Sequence, residues 1–147
     1  MKISTRSRYG LRLLIELARR GGGGPVLLSE IAGSQRISEK YLSRLVISLR
    51  GSGLVRSVRG AHGGYVLARP PGEISLREII DSLEGGPYII RCADDPASCP
   101  ASPGCAARSV WGGLEKAMRD YCESLTLGEI ARRGSLRPVK AGPKERA

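Results

Sequence analysis

Three cysteines lie close together in the second half of the chain. They are Cys92, Cys99 and Cys105, with six and five residues between them, in a stretch rich in proline and glycine. A backbone of this composition forms an irregular loop that can fold around one centre. Thiolates are soft ligands that suit zinc or an iron–sulfur cluster, and a cluster needs a fourth ligand. The residues therefore indicate either a cluster of the 2Fe–2S or 4Fe–4S type or another thiol-based function.

The fourth ligand and the chemistry stay open at this point. Asp94 or Asp95, a small-molecule thiol or a residue of a second subunit could complete a cluster, whereas His62, the only histidine, is remote in sequence. Zinc sites usually contain tight Cys-x-x-Cys pairs, which this stretch lacks, so the spacing favours a zinc-stabilised interaction module less. In a metal-free alternative, a cysteine near Arg91 or Arg108 would oxidise to a sulfenic acid or a disulfide and act as a thiol switch.

A second chemical feature is a basic helix face at residues 37–52. Ser38 can cap this helix by accepting a backbone N–H of the first turn. The apolar residues repeat at helical spacing and predict one buried face: Leu42, Leu45, Val46 and Leu49. The opposite face has two cations and two hydroxyls but no acid: Lys40, Ser43, Arg44, Ile47 and Ser48. Such a face suits contact with a polyanion.

The flanking sequence predicts a helix-turn-helix followed by a wing. A helix over residues 4–20, a short strand at Val26–Leu28 and a helix over Glu30–Ser34 capped by Ser29 precede the basic helix. Leu54–Ala68 is predicted to form a β-hairpin whose loop contains three glycines, with Arg56 and Arg59 adding charge at that edge. A winged helix-turn-helix lays its second helix in the major groove of double-stranded DNA. The predicted DNA-contacting residues are Ser38, Lys40, Tyr41, Ser43, Arg44, Arg56, Arg59 and His62.

The charge distribution agrees with a nucleic-acid partner. Residues 1–70 contain thirteen Lys or Arg and three Asp or Glu, whereas residues 71–147 contain eleven of each. One histidine, no Gly-x-Ser-x-Gly and no nucleotide-binding loop argue against an enzyme. The sequence has no apolar run that could span a membrane, and its first residues lack the apolar region of a secretory signal. We therefore expect a cytoplasmic protein whose cysteines meet a reducing environment.

The second half contains the elements that would position the cysteines. Ser75 is predicted to cap a helix over Leu76–Leu83, residues 91–106 to form an irregular loop, and residues 126–132 a last short helix. Between them, a helix over residues 106–125 has an apolar seam that would pair with a second copy: Val110, Trp111, Leu114, Ala117, Met118, Tyr121, Cys122 and Leu125. Cys122 is expected to be a buried small hydrophobe on that seam.

The predicted fold is thus mainly α with a small β-hairpin wing. Residues 1–70 would form a winged helix-turn-helix DNA-binding domain. Residues 71–132 would contain a helix, the cysteine loop and a long dimerisation helix. Residues 133–147, rich in Lys, Arg, Pro and Gly, would be a basic disordered tail.

Several short motifs, taken together, point to a known family. They are Arg8-Tyr9, Ile37-Ser38, Tyr41-Leu42, Gly53-Leu54-Val55, Ser57-Val58-Arg59-Gly60, Gly63-Gly64-Tyr65, the three cysteines, Val110-Trp111 and Thr126-Leu127-Gly128-Glu129. Over residues 1–132 the chain resembles the IscR-like family of winged helix-turn-helix transcriptional regulators, which includes iron–sulfur, nitric-oxide and cysteine-metabolism sensors. The resemblance implies a homodimer, which would bind a pseudo-palindromic operator, and in many members a cluster bound by three cysteines.

At three positions the sequence departs from that family's pattern. Arg108 stands where 2Fe–2S regulators have a histidine, three residues after the last cysteine. Arg8 stands where nitric-oxide sensors have an acid, and Ser43 where members that change their DNA sequence with cluster state have a glutamate. The resemblance therefore implies a DNA-binding regulator, expected to be a repressor set by an iron–sulfur cluster or by the redox state of the loop. It does not imply the cluster type or the target sequence.

Overall fold

The computed structural model describes residues 3–85 and 89–133, which are mainly helical with one two-stranded antiparallel hairpin. The helices and strands are α1 Thr5–Arg20, α2 Leu28–Gln35, α3 Glu39–Gly51, β1 Val55–Val58, β2 Gly64–Leu67, α4 Leu76–Glu84, α5 Arg91–Asp94, α6 Ala106–Glu123 and α7 Leu127–Arg132. The predicted fold class is confirmed. Apart from Arg133, the predicted basic tail lies outside the described residues. No described helix has the length and apolar character needed to cross a membrane.

Two of the first three helices begin as their sequences predict. Ser4 caps α1 by accepting the N–H of Ser7. Ser38 caps α3 by accepting the N–H of Tyr41 at 3.2 Å. An N-cap hydroxyl of this kind stabilises a helix by about 1 kcal/mol, because it satisfies a donor that has no partner inside the helix. The start of the basic helix is therefore held by the residue that the sequence assigns to it.

The helix between them begins and ends differently from the prediction. Leu27 precedes α2 in extended conformation without a side-chain cap, so the predicted cap at Ser29 is wrong. α2 closes at Arg36, whose φ of 53° is left-handed and whose N–H donates to the Ala32 carbonyl. This residue ends the helix in the way that glycine usually does. It turns the chain directly into α3.

The wing is a short hairpin that is joined to the helices by one backbone bridge. β1 and β2 pair antiparallel, with Val55 opposite Leu67 and Val58 opposite Gly64. In place of the predicted strand at Val26–Leu28, Val26 alone pairs with Tyr65. The Val26 N–H donates to the Tyr65 carbonyl at 3.0 Å, and the Tyr65 N–H donates to the Val26 carbonyl at 2.9 Å. The base of the wing is thereby fixed to the segment between α1 and α2.

One hydrophobic core joins the winged helix to the later helices. Its fully buried members come from α1, α2, α3 and the start of the wing, and also from α4 and α7: Leu13, Leu14, Ile31, Leu42, Leu49, Leu54, Ile79, Leu83 and Leu127. All four apolar residues predicted to face inward from α3 are buried. Burial of a leucine side chain contributes roughly 1.5–3 kcal/mol. The orientation of α3 therefore depends on α4, which packs directly against it, as well as on its neighbours α1 and α2.

The starts of α4 and α7 lie side by side. Ser75 and Thr126 each form a capping box with the glutamate three residues later, and the two cap residues pair as a single β-bridge. The Leu76 N–H donates to the Leu125 carbonyl and the Leu127 N–H to the Ile74 carbonyl, both at 2.8 Å. The C-terminal end of α6 is consequently tied to the beginning of α4.

The cysteine loop, residues 91–105, is more ordered than the sequence suggests. It contains the short helix α5 and a 3-10 turn at Pro96–Ser98, so the prediction of an irregular loop is only partly correct. Asp95 caps that turn by accepting the Ala97 N–H at 3.1 Å. α6 follows directly and ends at Glu123, two residues before its predicted end.

Candidate nucleic-acid interface and cysteine loop

The outer face of α3 consists of Lys40, Ser43, Arg44 and Ile47, all exposed. They lie opposite the four buried apolar residues of the helix, since positions three and four apart share one side. Within residues 3–85 and 89–133, neither Lys40 nor Arg44 has an ion-pair partner. Both cations are therefore available to an external anion.

Two further residues of α3 are more constrained than the outer cations. The Ser43 hydroxyl donates to the Glu39 carbonyl at 2.9 Å, which leaves its oxygen free to accept a hydrogen bond. Tyr41 is partly buried, and its ring meets Tyr9 edge-to-face with centroids 5.8 Å apart. The Tyr41 hydroxyl donates to Thr5 Oγ1 at 3.3 Å. Tyr41 thus links α3 to the start of α1 and presents its hydroxyl near that edge.

The wing adds a second basic element after α3. Arg56 lies on β1, and Arg59 and His62 lie in the loop between the strands, where all three side chains are exposed. Among the described residues, no ion pair involves Arg56 or Arg59. Arg69, which follows the hairpin, is by contrast paired with Glu78 at 2.7 Å. Within the described part of the chain, the wing therefore adds further cations without an ion pair to those of α3.

A buried polar network that sequence reasoning missed supports the turn before α3. Glu16 and Gln35 are nearly fully buried, and Gln35 Nε2 donates to Glu16 Oε1 at 2.6 Å. Arg12 donates through Nε to Gln35 Oε1 at 2.8 Å and through Nη2 to the Gln35 carbonyl at 2.6 Å. Arg20 Nε donates to the second Glu16 oxygen at 2.9 Å. The only signal in the sequence was Glu16 itself, the one acid of α1 among arginines.

The cysteines of the loop are partly exposed free thiols, and an arginine braces the loop. Arg108 Nε donates to the Cys92 carbonyl at 2.8 Å, so the side chain at the family's histidine position holds the backbone here. In the part of the chain that the structure describes, no three His, Cys, Asp or Glu side chains form a group able to hold a metal ion. The arrangement of Cys92, Cys99 and Cys105 therefore does not fit a cluster as it stands. The side chain of Asp94 lies outside the description.

The loop and α6 enclose an open cleft of about 390 Å³, lined in part by Ser102, Cys105 and Arg108. Ser102 and Glu115 are both 3% exposed, and Ser102 Oγ and Glu115 Oε2 have no hydrogen-bond partner among the described residues. Buried polar atoms without partners cost about 1–3 kcal/mol each. Both atoms would be satisfied by a hydrogen-bond partner from outside the described residues.

The fourth cysteine differs from the other three in position. Cys122 lies near the end of α6, where burial and the nearby Asp81 carboxylate raise the pKa of its thiol. A raised pKa lowers the fraction of reactive thiolate at neutral pH. The thiol is only partly buried, so the expectation of a buried residue is too strong.

These elements together define the class of the protein. A helix-turn-helix with unpaired cations on its second helix, followed by a basic wing, is the arrangement of winged-helix DNA-binding regulators. Residues 3–133 match the family described as Rrf2, iron-dependent transcriptional regulator. The chain belongs to this family, and it is a DNA-binding transcriptional regulator and not an enzyme.

Individual relatives agree over nearly the whole chain. Protein rrf2 of Nitratidesulfovibrio vulgaris is 39% identical over 141 residues, 96% of this chain and 94% of that protein. The regulator CymR of Bacillus subtilis is 42% identical over 131 residues, 89% and 90% of the two chains. The solved structure of that CymR, described as the global cysteine regulator, superposes with a TM-score of 0.77 and covers 92% of this chain and 99% of its own.

A regulator named IscR is similarly close in structure. The solved structure of T. potens IscR has a TM-score of 0.75 and 35% identity, and it covers 98% of this chain and 94% of its own. The chain is thus similar both to a regulator named for cysteine and to one of the IscR type.

Proposed function

We propose that α3 reads base edges in the major groove while the wing contacts the adjacent minor groove or phosphates. The observation that carries this proposal is the set of exposed cations on α3 and the wing without ion-pair partners among the described residues. Lys40, Ser43 and Arg44 would face the bases, and Arg56, Arg59 and His62 the backbone and minor groove. Ser38 and Tyr41 at the start of α3 would contact phosphate, since side-chain hydroxyls and helix N-termini commonly bind phosphate oxygens.

The proposal is tested with operators selected from random duplexes by the wild-type protein. Arg44→Ala should cost about 1–3 kcal/mol and relax the sequence preference if Arg44 reads a guanine. Arg59→Ala should weaken binding to all duplexes similarly. The plot of the logarithm of its binding constant against the logarithm of salt concentration should be less steep, as expected when about one fewer counterion is released. Lys116→Ala, which removes an exposed cation of α6 paired with Asp120, is the matched control. Unchanged binding by both arginine variants at several salt concentrations would refute the proposal.

The same reasoning leads to a homodimer formed through α6. Four large apolar side chains of α6 are exposed: Val110, Trp111, Leu114 and Tyr121, by 66, 44, 38 and 61%. A contiguous exposed apolar stripe of this kind usually marks an interface. A two-fold pair would place two recognition helices about 34 Å apart, which suits a pseudo-palindromic operator.

The dimer is tested with Val110→Asp together with Leu114→Asp. Both side chains are exposed in the single subunit, so the charges should cost its fold little but would be unpaired at the interface. Light scattering should give a monomer that binds the operator weakly. Lys116→Asp places a charge on the other side of α6 and should stay dimeric. A double variant that remains dimeric would contradict this interface.

We further propose that the cysteine loop sets DNA affinity through its redox state. Two chemistries are in competition at Cys92, Cys99 and Cys105. Three thiols within fourteen residues favour an iron–sulfur cluster. The cluster would supply a redox-active group if the loop rearranged to bring the three thiols together. Thiol oxidation is favoured by the partial exposure of the three free thiols and needs no fourth ligand. A relative, Staphylococcus aureus CymR, has been crystallised in an oxidized form.

One experiment distinguishes the two chemistries. The protein is purified without oxygen, reconstituted with iron and sulfide, and assayed for iron, acid-labile sulfide and visible absorption. Serine at position 92, 99 or 105 should each abolish a cluster chromophore, whereas Cys122→Ser should not. An iron-free protein whose operator affinity still changes with a disulfide oxidant would assign the function to thiol oxidation. A protein whose affinity responds to neither treatment would refute the proposed sensor.

A further inference from the structure

Ile47 is an apolar residue that folding does not explain. Its side chain is 70% exposed, the largest exposure of any large hydrophobic residue within the described ranges. The other branched aliphatic residues of α3, Leu42, Leu45, Val46 and Leu49, are all buried in the core. An exposed isoleucine forgoes the roughly 1.5–3 kcal/mol that burial would contribute. Single exposed apolar residues are common on protein surfaces, so the case for a partner rests on where Ile47 lies.

The position of Ile47 connects it to the DNA-reading face. It lies three residues after Arg44, four after Ser43 and seven after Lys40, and these spacings place all four side chains on one stripe of the helix. The α6 stripe proposed as the dimer interface belongs to a different element. Ile47 therefore sits within the surface proposed to enter the major groove.

The surroundings of Ile47 favour a polyanionic partner over a protein. Ile47 borders an open cleft of about 570 Å³ whose rim includes Arg50 and Arg56. Both arginines are exposed, and the ion pairs formed among the described residues do not include them. An apolar side chain flanked by unpaired cations is complementary to a surface that combines phosphates with an apolar group. The major groove offers that combination only where a thymine presents its 5-methyl group.

We propose that Ile47 contacts a thymine methyl group and is a specificity-determining residue of this regulator. The inference rests on the proposed reading of the major groove by α3. A helix rises about 1.5 Å per residue and duplex DNA about 3.4 Å per base pair, so Ile47 lies about one or two base pairs from the pair that Arg44 meets. Each half-site should then contain a required thymine at that distance.

The test removes only the methyl group from the DNA and only the apolar group from the protein. Thymines of the operator selected by the wild-type protein are replaced one at a time by deoxyuridine, and dissociation constants are measured by fluorescence anisotropy. At one thymine per half-site, wild type should bind the uracil duplex about fourfold more weakly, which corresponds to a buried methyl group at about 0.8 kcal/mol. Ile47→Ala should bind the two duplexes equally, at about the affinity of wild type for an operator in which the critical thymine of both half-sites is replaced.

Two controls keep the interpretation specific. Leu27→Ala removes another exposed apolar side chain, outside α3, and should retain the fourfold preference. Because Ile47 is exposed, Ile47→Ala should unfold at the same urea concentration as wild type, so lost discrimination cannot reflect lost folding. A double-mutant cycle over the two proteins and two duplexes should give a coupling of about fourfold.

The possible failures are separable. If wild type selects an operator and Arg44→Ala relaxes its sequence, but no thymine is discriminated from uracil, the role of Ile47 is overturned while the reading by α3 stands. The role of Ile47 would also be overturned if Ile47→Ala still discriminated fully between thymine and uracil. If wild type selects no sequence at all, the proposed reading by α3 fails, and the role of Ile47 fails with it.

Discussion

The bridge between the wing and the helices makes Gly64→Ala the most informative single substitution. A Cβ built on Gly64 would lie 2.6 Å from the Val26 carbonyl oxygen and 2.8 Å from its carbon, both backbone atoms that cannot rotate away. Real Cβ atoms do not approach other atoms so closely, so the strand must move. The movement would break the two hydrogen bonds between Val26 and Tyr65.

The magnitude follows from the bonds lost. Each backbone hydrogen bond contributes about 0.5–1.5 kcal/mol net, so losing both should cost about 1–3 kcal/mol. For a protein of this size each kcal/mol lowers Tm by roughly 3–5 °C, which gives a decrease of about 3–15 °C. Because the wing would no longer be held at its base, operator affinity should decrease as well, even at temperatures where the protein is fully folded.

The matched control is the same chemical change at Gly33. Gly33 lies inside α2 and is exposed, and a methyl group added there would meet no heavy atom within 4 Å beyond its own stretch of helix. Alanine there should stabilise the protein by up to about 1 kcal/mol through helix propensity. Thermal unfolding followed by circular dichroism, with operator binding alongside, measures both variants. A Gly64→Ala protein as stable as wild type, with unchanged affinity, would refute the argument.

Three further predictions concern buried or hydrogen-bonded groups. Gln35→Ala should destabilise the protein by about 1–3 kcal/mol in urea unfolding, because Arg12 and Glu16 lose their shared partner, whereas an unchanged midpoint would show that the network contributes nothing. Burial acts to raise the pKa of Glu84, but hydrogen bonds from Ser4 and Ser7 outweigh it and hold that pKa below its usual value. The ionised Glu84 therefore stabilises the folded protein fully at pH values above its pKa in the unfolded chain. This contribution is lost as the pH falls through its pKa in the folded protein. Glu84→Gln should therefore be less stable than wild type near pH 7 and converge with it once the pH has fallen below the lowered folded-state pKa, and parallel curves would contradict this. Cys122 should react with iodoacetamide most slowly of the four cysteines at neutral pH, since its raised pKa leaves least thiolate, as peptide mass spectrometry after timed labelling can check.

The parts of the fold that the sequence predicted well are those governed by local rules. Ser38 and Ser75 cap their helices because a hydroxyl at that position satisfies a donor within three residues. The four inward residues of α3 follow from helical period alone. Residues of this kind need no information about the rest of the chain.

The features that escaped prediction depend on distant partners or on unusual backbone. Arg36 adopts a left-handed conformation that a sequence rule assigns to glycine. Gln35 and Glu16 are buried because each finds a partner on another helix or turn, and no local pattern encodes that pairing. Ser102 and Glu115 are ordinary polar residues in sequence, and only the packing of the cysteine loop on α6 buries them.

The candidate site divides in the same way. The basic face of α3 and the exposed arginines of the wing were predictable, since charge and helical period are local properties. The distances among Cys92, Cys99 and Cys105 were not, because they depend on how α5 and the following turn fold. The contact of Arg108 with the Cys92 carbonyl spans 16 residues, and no spacing rule anticipates it.

The packing of α7 against α1 has a consequence for how the protein is made. Arg19 and Ala131, joined by a hydrogen bond of 3.0 Å, are 112 residues apart in sequence, and Leu127 is fully buried. A ribosome adds about 5–20 residues per second, so α1 waits on the order of 5–20 s for this partner. During that interval part of its apolar surface is open to other chains. Contacts so distant in sequence also form slowly, and α1 gains this part of its packing only after residues 127–132 have emerged.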